Sequence, residues 1–186
     1  MKRHPGAPWR RVHTRCTSES GGDGTSEGNV LERLRLELSA AIDEEEYDKA
    51  ALIRDEINKL SATAVMQVLE ANARFYQAFQ SGSLGAMGKV WGFGDHVRVI
   101  HPGAGCIEGR NEVMMSWEHV LKLGKYGIEV EDVKVHASGS FAMVTCVEYV
   151  NSGPTTGKIV ATNIFEKQVD EWRIIHHHGS PGVTTL

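Results

Sequence analysis

Apolar positions recur at helical spacing in the first half of the chain and at strand spacing in much of the second. Leu31, Leu34, Leu38, Ala41 and Ile42 fall three and four apart and lay one stripe along a helix. After an acidic interruption at residues 43–46, Tyr47, Ala50, Ile53, Arg54, Ile57 and Leu60 repeat the pattern. Asp43 is placed to cap the second helix, with Glu46 three residues on completing a capping box. Two helices of this length are marginal alone, so their stripe must be covered by the same domain, a second copy or another protein.

The pattern restarts beyond Ala62. Val65, Val68, Leu69, Asn72, Phe75, Tyr76 and Phe79 define a long helix that Ser81-Gly82 stops. A shorter helical stretch covers 84–91, and 95–101 alternates as a strand closed by Pro102-Gly103. Residues 111–123 are helical again, with Val113, Met114, Trp117, Val120 and Leu121 inward and Gly124 as stop signal. Strands are predicted at 128–136, 141–150, 158–167 and 172–178, joined by turns as a meander. This segregation predicts an α+β fold: helices packed on one face of a curved antiparallel sheet, preceded by a helical hairpin.

Charge divides the 186 residues into three regions. Lys2, Arg3, Arg10, Arg11 and Arg15 precede any acidic residue, and a Ser/Thr/Gly-rich run follows. Residues 1–28 therefore read as a tail excluded from the fold, either an organelle transit peptide or a disordered basic terminus. Residues 29–61 form the acidic hairpin, and 62–186 the main domain. The net charge of −4 gives no reason to expect nucleic acid as a partner, and no apolar run is long enough to span a membrane. Cys16, Cys106 and Cys146 lack Cys-x-x-Cys spacing and fit a reducing compartment rather than a disulfide framework.

The wording of residues 34–60, with Tyr47, Ala50-Ala51 and Arg54-Asp55, resembles the UVR motif of UvrB, UvrC and ClpC-type chaperones. That resemblance implies a hairpin for protein contact, with Tyr47, Ala50, Ala51, Arg54 and Asp55 as interaction residues and a UVR-bearing or ClpC-type partner. Trp91, the run Asp95-His-Val-Arg-Val-Ile-His-Pro102, Gly109-Arg-Asn-Glu-Val-Met-Met-Ser-Trp117 and Trp172-Arg-Ile-Ile-His-His-His-Gly-Ser180 resemble the SnoaL-like branch of the nuclear transport factor 2-like superfamily. The resemblance implies a cone whose sheet wraps a long helix and leaves a cavity, with an exposed sheet face suited to a homodimer. A UVR motif beside a SnoaL-like domain also looks like plastid proteins, which adds a chloroplast address to the expectations; the alternative is the cytoplasm.

Strand alternation nominates the cavity lining. Val97, Val99 and His101 share one face; Trp172, Ile174, His176 and His178 share another, leaving His177 outward. His101, Trp117, His176 and His178 are thus the expected pocket residues, and His101 and His178 the candidates for acid–base work on a small apolar ligand. Glu148 and Asp95 are candidate carboxylate partners whose side of the sheet parity leaves open. No cofactor is expected. A zinc site from His101, His176 and His178 is not expected either, because no helical His-x-x-x-His spacing occurs and the resembled family mostly works without metal. Three functions follow: a ligand-binding or sensing domain tethered through its hairpin, an isomerase- or cyclase-type enzyme, or a purely structural adaptor.

Overall fold

The computed structural model describes residues 26–124, 126–152 and 155–182. The basic residues of the expected tail lie outside them. Helix α1 (Ser26–Asp43) lies against the start of helix α2 (Tyr47–Ser81). Leu31 and Ala41 of α1 and Ala50 of α2 are buried, so small side chains let the two backbones approach. Asp43 does not cap α2: it closes α1, and Glu46 takes the N-cap position without a side-chain bond to the backbone. The reversal instead rests on Glu45, whose φ of 59° turns the chain, and on the Glu46 N–H donating to Ala41 O at 2.8 Å.

Between residues 61 and 62, where the sequence suggests one helix ending and another beginning, α2 runs on unbroken. Its 35 residues make a rod of about 50 Å. Ser61, Ala62, Thr63 and Ala64 carry no Gly or Pro to stop it, and Thr63 Oγ1 donates back to Lys59 O at 3.0 Å. The stop comes at Gly82, in the left-handed conformation at φ 66°, whose N–H donates to Phe79 O. The hairpin and the main domain therefore share one continuous helix.

Helices α3 (Leu84–Val90) and α4 (Arg110–Lys122) and six strands complete the fold: β1 (Arg98–Ile100), β2 (Cys106–Glu108), β3 (Gly127–Ser138), β4 (Phe141–Ser152), β5 (Thr155–Gln168) and β6 (Glu171–Pro181). The sheet order is β2-β1-β6-β5-β4-β3, a meander extended by β1, which pairs with β6 in parallel, and by β2 at the edge. Strand β2, between Gly105 and Gly109, is not among the strands predicted from the sequence. The concave side covers the second half of α2, where Val68, Ala71, Asn72, Phe75, Tyr76 and Phe79 are buried. Phe75, Phe79, Trp91 and Trp117 form the aromatic centre, with Phe79 and Trp117 at 4.9 Å between ring centroids. Arg110 fastens α4 to the end of α3 and the chain after it by donating to the carbonyls of Gly88, Trp91 and Gly92 at 2.6–2.8 Å.

One irregularity determines which side chains face inward. In β6 the ladder pairs His176 with Ile164 but Ile174 with Phe165, leaving Ile175 as an extra residue. Such a bulge shifts the alternation by one. Trp172 and Ile174 face the core, and beyond the bulge it is His177 that does so. The bulge sits where Trp91 bridges to Ile174 and the Gly92 N–H donates to Ile174 O at 2.8 Å. Gly92 is required there because a Cβ would lie 2.9 Å from Ile175 Cγ2.

Candidate functional site

A cavity of about 310 Å³ opens between the end of α2, α4 and the sheet, lined by Phe79, His101, Trp117, Tyr126, Glu148 and His177 together with aliphatic side chains. Two of the four pocket residues expected from sequence, His101 and Trp117, are in its wall. The other two are not. His176 and His178 stand on the outer face of the sheet, His178 exposed and His176 beside Arg98 across the β1–β6 ladder. The bulge at Ile175 is the physical reason, and His177, expected outward, takes the inward place at 3 % exposure. A zinc site from His101, His176 and His178 is therefore not assembled by this geometry. Asp95 is exposed and lies away from the cavity, while Glu148 is buried in its wall.

Behind the wall runs a chain of buried polar side chains whose donors and acceptors can be assigned. Both Asn163 Nδ2 protons are committed, one to Asn72 Oδ1 at 2.8 Å and one to the Tyr76 hydroxyl oxygen at 3.2 Å. Asn163 Oδ1 can only accept, so the His177 Nδ1–H donates to it at 2.7 Å and Nε2 is left with a lone pair. Tyr76 donates to Glu148 Oε1 at 2.7 Å, so the Cys146 thiol at 3.1 Å donates to the Tyr76 oxygen. His101 is fixed in the same way. The single Ser116 hydroxyl proton goes to Val113 O, so His101 Nε2–H donates to Ser116 Oγ at 3.1 Å.

Burial sets the titration of these groups. The His177 imidazole is pushed down to about 3, by removal from water first and then by His101, His176 and His178. His101 is lowered by burial alone. Glu148 is raised by burial, partly opposed by the Tyr76 hydrogen bond, and the Cys146 thiol is pushed up to about 11, burial again coming first. The wall thus presents two imidazoles biased toward the neutral form and a carboxyl biased toward protonation. Trp117 Nε1 is buried without a partner.

The inward positions of β4 run Ala142, Val144, Cys146, Glu148, and those of β5 run Ala161, Asn163, Phe165. A polar residue interrupting an apolar face is the legible signal for Glu148 and Asn163; Asn72 and Tyr76 show it on α2, one turn apart. No such signal exists for His177, because alternation cannot count a bulge.

Of the expected interaction residues, Tyr47 is exposed, Ala50 is buried in the hairpin seam and Ala51 is half-buried. Arg54 and Asp55 are exposed and bond each other, Arg54 Nη2 lying 2.7 Å from Asp55 Oδ1. Cys106 is an exposed thiol on β2. No helix among the described residues is long and apolar enough to cross a membrane.

Residues 68–184 match the SnoaL-like domain family. The chain belongs to that family. Residues 28–63, ahead of the SnoaL-like domain, match the UvrB/uvrC motif. A proposed dehydratase of the NTF2-like family from Streptomyces avermitilis is 32% identical with a TM-score of 0.63, over 66% of this chain and 99% of that one. A proposed calcium/calmodulin-dependent protein kinase type II association domain from Thiobacillus denitrificans is also 32% identical, with a TM-score of 0.57, over 61% of this chain and 93% of that one. The F-box protein SKIP8 of Arabidopsis thaliana is 29% identical over 114 residues, 61% of this chain. The match spans 48% of that relative, about half its length.

Proposed function

We propose that the SnoaL-like domain binds a small molecule with an apolar body in the cavity and that the UVR-type hairpin tethers it to a protein partner. The observation that carries the first half is the wall itself: aromatic and aliphatic side chains around a few buried, internally bonded polar groups, in a volume within the range of ligand sites. Filling the cavity tests it. Val150→Phe should abolish binding of ring-bearing fragments while leaving the melting temperature within a few degrees; equal binding to both proteins would place the ligand elsewhere.

The tether rests on the match to the motif and on its exposed apolar residues, Tyr47 at 66 % and Leu52 at 73 % exposure. Replacing both by Ala should remove capture by a ClpC-type or UVR-bearing protein without changing the helical signal. Unchanged capture would discard this strip. Self-association through the outer sheet face, where Phe141, Met143 and Val160 are exposed, is supported by the association-domain relative and is read by sedimentation of the full chain. A plastid address belongs to the same proposal; a fluorescent fusion of residues 1–30 excluded from plastids would refute it.

A second reading, an isomerase- or lyase-type enzyme, is supported by a raised carboxyl and an unprotonated imidazole, Glu148 and His177, lining one cavity. The relative described as a proposed dehydratase agrees with it. On this reading Glu148→Gln loses turnover with little change in stability.

A further inference from the structure

Three polar side chains of the cavity wall share one character, while the Trp117 indole N–H and the Tyr126 hydroxyl stand apart as donors. His177 spends its Nδ1 proton on Asn163, His101 spends its Nε2 proton on Ser116, and Glu148 Oε1 receives the Tyr76 hydroxyl. What these three side chains have left, two imidazole lone pairs and a carboxyl oxygen, is mainly accepting capacity. The apolar part of the wall joins five aliphatic side chains to three rings: Phe79 lies 4.9 Å from Trp117 and 5.7 Å from Tyr126 between ring centroids. Among the described lining residues there is no lysine or arginine, and Glu148 is the one acidic group. Such a wall offers an anion no cationic side chain to pair with, and sets a carboxyl against it. It does offer a cation a carboxylate, ring faces and acceptors.

Resting on the reading of the cavity as a small-molecule site, we propose that its ligand is a small organic cation: a protonated amine on an apolar ring or chain. The ammonium donates to Glu148 and to the free His177 nitrogen, and the apolar part lies against Phe79, Trp117 and Tyr126. The buried carboxyl, which burial biases toward its protonated form, gains in the complex the counter-charge that the protein does not supply.

A matched series on the full chain tests this: 2-phenylethylamine, 2-phenylethanol and phenylacetate, titrated at pH 7.5 while the Trp117 indole resonance is followed. The amine should bind about tenfold tighter than the alcohol, a charge-assisted bond being worth that much, and phenylacetate should bind weakest. Glu148→Gln keeps the shape and an acceptor for Tyr76, and should bring amine and alcohol to similar affinity. If the alcohol or the acid binds as tightly as the amine to the native protein, the cationic ligand is wrong and the small-molecule site stands. If none of the three shifts Trp117 up to their solubility limits, the cationic ligand and the site reading both fall.

Discussion

The buried His177 gives a quantitative prediction about acid stability. Its ordinary value of 6.5 is pushed down to about 3 in the folded chain. As pH falls through 6.5 the unfolded chain takes up a proton that the folded chain refuses, so stability falls, the slope reaching about 1.4 kcal/mol per unit about one unit lower and holding until pH nears 3. Between pH 6.5 and 4.5 this group alone costs about 2 kcal/mol, and from pH 7.5 to 4.5 about 3 kcal/mol. Glu148 acts with the opposite sign: its folded value is raised, so the folded chain takes its proton first and gains stability as pH drops toward the ordinary carboxyl range. A raw pH profile mixes the two.

His177→Asn separates them. Asn can still donate to Asn163 Oδ1, does not titrate, and loses ring volume at a cost of about 1–3 kcal/mol that does not depend on pH. Urea unfolding of both proteins from pH 7.5 to 4.5 should show the native protein ahead at pH 7.5 and the gap closing by about 3 kcal/mol at pH 4.5. A gap constant across that range would mean that the folded chain protonates His177 freely, and the buried neutral ring would be wrong.

Asn163→Ala removes the acceptor of His177 and a donor to Tyr76 together, and should lower unfolding free energy by about 2–4 kcal/mol in denaturant melts. Arg110→Lys replaces a planar fork reaching three carbonyls by one ammonium, for a loss of about 2–3 kcal/mol and faster amide exchange at residues 91–93. Gly92→Ala pushes a methyl into Ile175 at the bulge and should cost about 1–3 kcal/mol by thermal melting, with Ile175→Ala in the same chain recovering part of it.

Much of the fold was legible because its signals are local. The stripes of α1, α2 and α4, the Gly82 stop and the four meander strands all follow from spacing and turn residues. What was not legible depends on contacts distant in sequence. Nothing within residues 58–68 says that two helices are one, since the absence of a breaker reads the same as a short linker. Strand β2 exists because it has β1 to pair with, not because Cys106–Glu108 carries a strand pattern. The site shows the same division. His101 and Trp117 follow from local alternation and the helix stripe, whereas the exchange of His177 for His176 and His178 follows from one extra residue, accommodated where the Trp91–Gly92 segment docks on β6.

The central claim is that the SnoaL-like domain binds its ligand in the cavity bounded by His101, Trp117, Glu148 and His177. The most direct measurement is a histidine-ring NMR titration of the full chain with whichever ring-bearing compound binds best. The His101 and His177 ring signals and the Trp117 indole should move together, with His177 protonated at Nδ1 at neutral pH and His176 and His178 unmoved. Shifts at His176 and His178 with His177 silent would place binding on the outer face of the sheet and contradict the account.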